Sequence, residues 1–214
     1  MEQNCPVTRY IDRRGKPAGN DQRGVVLLAN LKDRGKIFAW AAAACFAACF
    51  LADLFPSIDY IRTDEGLLAA VAVLELLGFA GLAVTVFLRN KKGVMLAACV
   101  QFAVNLLILL VNLGTDYFDL IHLFNMAAYA LLAFAAIRSG REDGRIGWLW
   151  FLPGAFSIAS LAAWACQPCF LHILWAFTDL DLDDWVYMVS YISALFLAGL
   201  WLKNDPSPVR ISAS

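Results

Sequence analysis

The chain has 214 residues, of which 61% are hydrophobic and only 16% are charged, and its mean hydropathy is +0.64. An average soluble domain is about 45–50% apolar and about 25% charged. The composition therefore excludes an ordinary soluble domain, and the formal net charge of -1 argues against a nucleic-acid partner, whose phosphates require a basic surface.

The first 36 residues are polar, rich in Lys and Arg, and predicted to form a cytoplasmic tail. They contain no apolar stretch of the kind that forms a cleavable signal peptide, and Gly15, Pro17, Gly19 and Gly24 predict loose structure over about the first two dozen residues. Residues 25–31 favour a short helix on the inner membrane surface, where the basic neighbours would attract anionic headgroups. Membrane lipids are therefore expected partners.

Six apolar runs follow the tail, each close to the length of about 20 residues that a spanning helix needs. They cover residues 37–55, 66–88, 93–113, 117–137, 147–166 and 185–202. Between the last two, residues 169–177 are apolar but too short to span, which is typical of an interfacial or re-entrant segment. The sequence thus predicts an all-α, polytopic membrane protein, with about six transmembrane helices in one bundle at 37–203 and cytoplasmic tails at 1–36 and 204–214.

The placement of positive charge predicts the orientation of the bundle. All but one of the 17 Lys and Arg residues lie in the two tails and in the second and fourth loops, and the exception is Arg62. The remaining loops are acidic. Because short cytoplasmic loops are enriched in Lys and Arg, both termini are predicted to be cytoplasmic, in a multi-pass protein of the cell membrane.

Polar side chains inside a span are costly in lipid and are therefore the first candidates for function. Glu75 lies near the middle of the second span, and other polar residues lie at a similar depth or nearer the outer surface. The predicted ligand-binding set is Glu75, Asn105, Asp119, His122, Asn125, Tyr187 and Tyr191. These side chains either converge on an outer-half cavity that binds a small molecule, or merely hydrogen-bond neighbouring helices.

Cys166 and Cys169 have the Cys-x-x-Cys spacing of thiol redox centres. Membrane oxidoreductases that pass electrons to quinones usually present a second exposed pair of cysteines. Here Cys45, Cys49 and Cys99 are predicted to lie deep in the membrane, so Cys166 and Cys169 are interpreted as a structural disulfide or as two unpaired thiols. His172 would complete only three ligands of a zinc site. The sequence carries no motif for a metal site, a cofactor or catalytic residues, and this favours a protein that is not an enzyme.

The overall plan is similar to that of the vitamin-binding subunits of energy-coupling-factor importers, which are small six-helix proteins with cytoplasmic ends and an outward-facing pocket. No motif of that group is matched, so the resemblance assigns no family. The leading hypothesis is a membrane protein that binds a small molecule or helps to transport it. The alternatives are a thiol redox enzyme at Cys166 and Cys169, and a structural or regulatory partner of another membrane protein.

Overall fold

The protein was analysed as a computed structural model that describes residues 20–63, 66–111, 120–139, 147–166 and 182–205. Over these ranges the chain forms six α-helices and no β-strand. The helices are α1 (Asn20–Thr63), α2 (Leu67–Phe87), α3 (Lys91–Val111), α4 (Leu120–Arg138), α5 (Leu152–Cys166) and α6 (Leu182–Asn204).

Five of the six helices are long and apolar enough to cross a membrane: α1, α2, α3, α4 and α6. This confirms the prediction of a helical polytopic membrane protein. The helix α5 is shorter than the expected span at 147–166, because residues 147–151 form turns closed by a bond from the Phe151 N–H to the Trp148 carbonyl (3.0 Å). Its 15 residues extend about 22 Å, less than the ~30 Å hydrocarbon core.

The helix α1 is much longer than the apolar run that predicted it. It continues for 44 residues, or about 66 Å, and its apolar part covers Arg34–Ile58. The short separate helix expected at residues 25–31 is instead part of α1. Charged residues do not stop a helix that extends beyond the bilayer, because their side chains reach water there.

The helices form a closed ring in chain order. Each helix packs against the next, α6 returns to pack extensively against α1, and α4 also contacts α6 across the ring. The Cys49 thiol on α1 donates to the Tyr187 carbonyl on α6 (3.9 Å), while Gly35 lies against Asn204. Thus α1 and α6 run antiparallel, as an even number of passes requires.

One end of the bundle brings together residues 34–36 of α1, the α2–α3 connection and the ends of α4 and α6. Lys91 donates to the Asp205 carbonyl (3.0 Å), and the Ser139 hydroxyl donates to the Leu202 carbonyl (2.8 Å). We call this end the basic face, after its residues Arg34, Lys36, Arg89, Lys91, Lys92, Arg138 and Lys203. That it faces the cytoplasm stays a prediction.

Small residues line the packing of α1 against α6. Ala39 and Ala43 on α1 and Ala194 and Ala198 on α6 are buried in the core. Side chains this small allow helix backbones to approach closely in a membrane. Trp201 of α6 is fully buried inside the bundle.

Candidate functional site

The helices α4, α5 and α6 form the walls of a partly open cavity of about 200 Å³. The α6 contribution is one stripe of the helix, since steps of three and four residues return to the same face. The cavity is lined by Ile121, Asn125, Ser157, Ser160, Leu161, Asp184, Tyr187, Met188, Tyr191 and Ile192. It extends to the first turn of α6, where Asp184 is exposed.

A chain of hydrogen bonds fixes the polar wall of this cavity. The Tyr129 and Tyr191 hydroxyls are hydrogen-bonded to each other, and the Tyr191 hydroxyl donates to Asn125 Oδ1 (3.0 Å). The rings of Tyr187 and Tyr191 stack with centroids 6.0 Å apart and an interplanar angle of 11°. The two tyrosine rings are therefore held as a rigid aromatic surface with a defined polar edge.

The α5 side of the cavity supplies two buried hydroxyls. Ser157 donates to the Gly154 carbonyl (2.7 Å), and Ser160 donates to the Ile121 carbonyl on α4 (3.4 Å). Both serines keep acceptor capacity on the hydroxyl oxygen after donating. Because Ile121, Leu161, Met188 and Ile192 form the rest of the wall, the cavity is mainly apolar with a few polar groups.

A second polar cluster lies between α2, α3 and α4. The Asn105 side chain is hydrogen-bonded to His122 Nδ1 through its Oδ1 (3.0 Å), and its Nδ2 donates to the Gln101 carbonyl (2.9 Å). Gln101 Nε2 donates to the Glu75 carbonyl (2.9 Å), so that one network joins the three helices. These hydrogen bonds link neighbouring helices, which is the second of the two interpretations that the sequence left open for the polar residues of the spans.

Asp53 is an acidic residue of the interior that the sequence interpretation missed. It lies on α1 close enough to Glu75 on α2 for the two carboxyl groups to interact electrostatically, and it accepts a hydrogen bond from Ser57. Asp53 Oδ2 is buried and has no hydrogen-bond partner among the described residues. The signal was the spacing of four residues between Asp53 and Ser57, near the end of the predicted span at 37–55.

The structure divides the predicted site residues into separate groups. Asn125, Tyr187 and Tyr191 line the cavity, whereas Glu75, Asn105 and His122 are not among its ten lining residues. Asp119 lies outside the described residues, as do Cys169, His172 and the side chain of Cys166. The ligand-binding role of the whole set stays a prediction.

Within the described ranges, no group of three or more His, Cys, Asp and Glu side chains is placed to hold a metal ion. Over the same ranges Cys45, Cys49 and Cys99 carry free thiols. Cys49 is buried and Cys99 is exposed on the outside of the bundle, so these two thiols do not lie together.

The fold and the site define a helical polytopic membrane protein with a small cavity between its last three helices. No protein-family model matches the chain, and no curated protein or solved structure matches it either. Its function is therefore argued from the cavity alone.

Proposed function

We propose that this multi-pass protein resides in the cell membrane and binds a small, largely apolar molecule, or helps to move it, in the cavity between α4, α5 and α6. The observation that carries the proposal is the cavity of about 200 Å³ with its tyrosine, asparagine and serine groups. Sites for small molecules are concave and mostly apolar, with a few polar groups that fix the orientation of the ligand, and this cavity has such a lining.

The size and lining of the cavity favour a compound of about one ring. Pockets for drug-sized ligands occupy about 300–1,000 Å³, whereas a cavity of about 150 Å³ accepts benzene. The apolar wall supplies contact area, and the Asn125 amide and the serine hydroxyls supply hydrogen bonds that fix an orientation. With the basic face in the cytoplasm, as predicted, the ligand would enter from the outside.

Thermal unfolding of the purified full-length protein in an uncharged maltoside detergent tests this proposal. The probes are benzylamine, benzyl alcohol and benzoate, which share one ring and differ in charge. A ligand that binds only the folded protein stabilises it by about 2.7 kcal/mol at 100 times its Kd. We expect at least one probe to raise the unfolding temperature by several degrees, since about 2–4 °C corresponds to 1 kcal/mol for a chain of this size.

Two tryptophan variants on α5 locate the binding. Leu161→Trp fills the cavity and is expected to abolish the shift, because Leu161 lines it. Ile158→Trp is the matched control, because Ile158 is exposed on the same helix and does not line the cavity. An equal shift in both variants would place binding elsewhere, in the detergent-covered surface for example, and no shift with any probe would remove the proposal.

A further inference from the structure

We infer that the molecule bound between α4, α5 and α6 is a small organic ammonium compound with an apolar body, an inference that rests on the proposed function. The first observation is the charge of the lining. Among the lining residues that the structure describes, Asp184 is the charged one, and these described residues include neither Lys, Arg nor His. The carboxylate therefore favours a cation there.

The surroundings of the cavity reinforce this preference. The residues of the basic face lie at the opposite end of the bundle from Asp184, and Arg62 is the described basic residue on the side of Asp184. In the sequence, Asp179, Asp181 and Asp183 come just before Asp184, so this stretch of the chain carries a concentration of negative charge. Such a field raises the local concentration of cations and lowers that of anions.

The order of the α6 residues matches a molecule with one charged end. Asp184 comes first, Tyr187 and Met188 follow one turn deeper, and Tyr191 lies about 10 Å beyond Asp184 at 1.5 Å per residue. An ammonium group at Asp184 would place an attached ring or branched chain beside the tyrosine rings and the apolar side chains of α4 and α5.

The tyrosine rings also favour a cation over a neutral group. An ammonium within about 6 Å of an aromatic face is attracted by the electrons of the ring. Tyr187 lies one helical turn from Asp184 on the same stripe of α6, and both residues line the cavity. Asp184 already interacts with other groups of the protein, but a carboxylate has about four acceptor positions and accepts several donors at once.

Isothermal titration of the purified full-length protein in uncharged maltoside, at neutral pH and low salt, tests the inference with the same three probes. We expect benzylamine to bind roughly five- to tenfold more tightly than benzyl alcohol, from an exposed ion pair and a cation–π contact together. Benzoate should bind most weakly. Raising the salt concentration should reduce the advantage of the amine, because exposed charges are screened.

A pair of variants separates recognition at the cavity from general attraction. Asp184→Asn should remove the ion-pair share of the preference for benzylamine, so that only the cation–π share remains, and should leave the affinity for benzyl alcohol unchanged. Because Asp184 is exposed, the substitution should not unfold the protein. Asp183→Asn removes the same charge one position away and should preserve most of the preference for the amine.

The possible results distinguish the two proposals. Equal or tighter binding of benzyl alcohol or benzoate would overturn the ammonium inference and leave the cavity as a binding site. Loss of the amine preference to the same extent in Asp183→Asn would also overturn it, because the attraction would not be local to Asp184. Failure of all three probes to bind would remove the proposed function itself.

Discussion

The buried carboxamide of Gln101 depends on the absence of a side chain at Gly78. Gln101 is fully buried on α3, and its Nε2 reaches the Glu75 carbonyl on α2 (2.9 Å) by lying over Gly78. A Cβ at position 78 would be 2.6 Å from that nitrogen and 2.7 Å from Gln101 Cδ. Gly78 is therefore required for a close approach and not for an unusual backbone conformation.

We expect Gly78→Ala to lower the free energy of unfolding by about 1–3 kcal/mol, the usual cost of overpacking a filled interior. The added methyl group would displace Gln101 and break its bond to the Glu75 carbonyl. Unfolding by a denaturing detergent, followed by far-ultraviolet circular dichroism, measures the change.

Gly81→Ala is the matched control for this substitution. It lies one turn further along α2, and its added Cβ would meet only Ala97 Cβ at 3.4 Å, an ordinary contact. We expect it to be neutral or slightly stabilising, because alanine favours a helix over glycine by about 1 kcal/mol. Equal losses in the two variants would show that Gln101 does not depend on space at Gly78.

The end of α6 is stabilised by groups from two other helices. The last carbonyls of a helix have no partner within it. Ser139 at the end of α4 donates to the Leu202 carbonyl, and Lys91 at the start of α3 donates to the Asp205 carbonyl just beyond α6. The Lys91 ammonium also lies 3.9 Å from Asp205 Oδ1, and a positive charge at this end complements the helix dipole.

Lys91→Met should lower the free energy of unfolding by about 1–3 kcal/mol, because it removes a charged donor while keeping the apolar length of the side chain. Hydrogen exchange should also become faster at the amides of the last turn of α6. Lys92→Met is the matched control, since Lys92 is exposed, and surface changes of this kind usually stay within about 0.5 kcal/mol. Similar effects of both variants would argue against the specific role of Lys91.

The α2–α3 connection is short because local bonds satisfy its backbone. Arg89 adopts a left-handed conformation (φ 53°), and its N–H donates to the Val86 carbonyl (2.9 Å). Asn90 then caps α3, with its Oδ1 accepting from the Gly93 N–H (3.1 Å). The tight reversal places Lys91 at the basic face, where it meets Asp205.

The molecule as a whole combines a ring of antiparallel helices with a strong separation of charge. The basic face brings together the ends of the described helices that the sequence predicts to be cytoplasmic. Arg62 lies at the end of α1, on the opposite side. This geometry agrees with alternate loops on alternate sides, and the positive-inside rule then predicts the absolute direction.

Reporter fusions measure that direction. Green fluorescent protein fused after residue 214 should fluoresce, and alkaline phosphatase at the same position should be inactive, because the C-terminus is predicted to be cytoplasmic. Alkaline phosphatase fused after residue 181, before α6, should be active. The reverse pattern at both positions would overturn the predicted orientation, and cytoplasmic signals at both positions would contradict a crossing by α6.

Composition and the lengths of the apolar runs determined the class of the protein and the approximate positions of its helices. Lipid accepts only helices whose backbone groups are paired internally, so about 20 apolar residues are enough to predict a span. The same criterion failed for the N-terminal extension of α1 and for the start of α5. A run of apolar residues indicates which part of a helix lies in lipid, but it does not indicate the residue at which the helix begins.

Only the tertiary structure decided which polar residues meet. His122 and Asn125 are three residues apart, so the helical period predicts that they lie on the same side of α4. Asn125 nevertheless accepts a hydrogen bond from Tyr191 on α6, whereas His122 is hydrogen-bonded to Asn105 on α3. The cavity, likewise, requires α5, whose Ser157 and Ser160 were not predicted site residues. A sequence fixes the face of a helix on which a residue lies through the 3.6-residue period, but the neighbour of that face depends on how all the helices pack together.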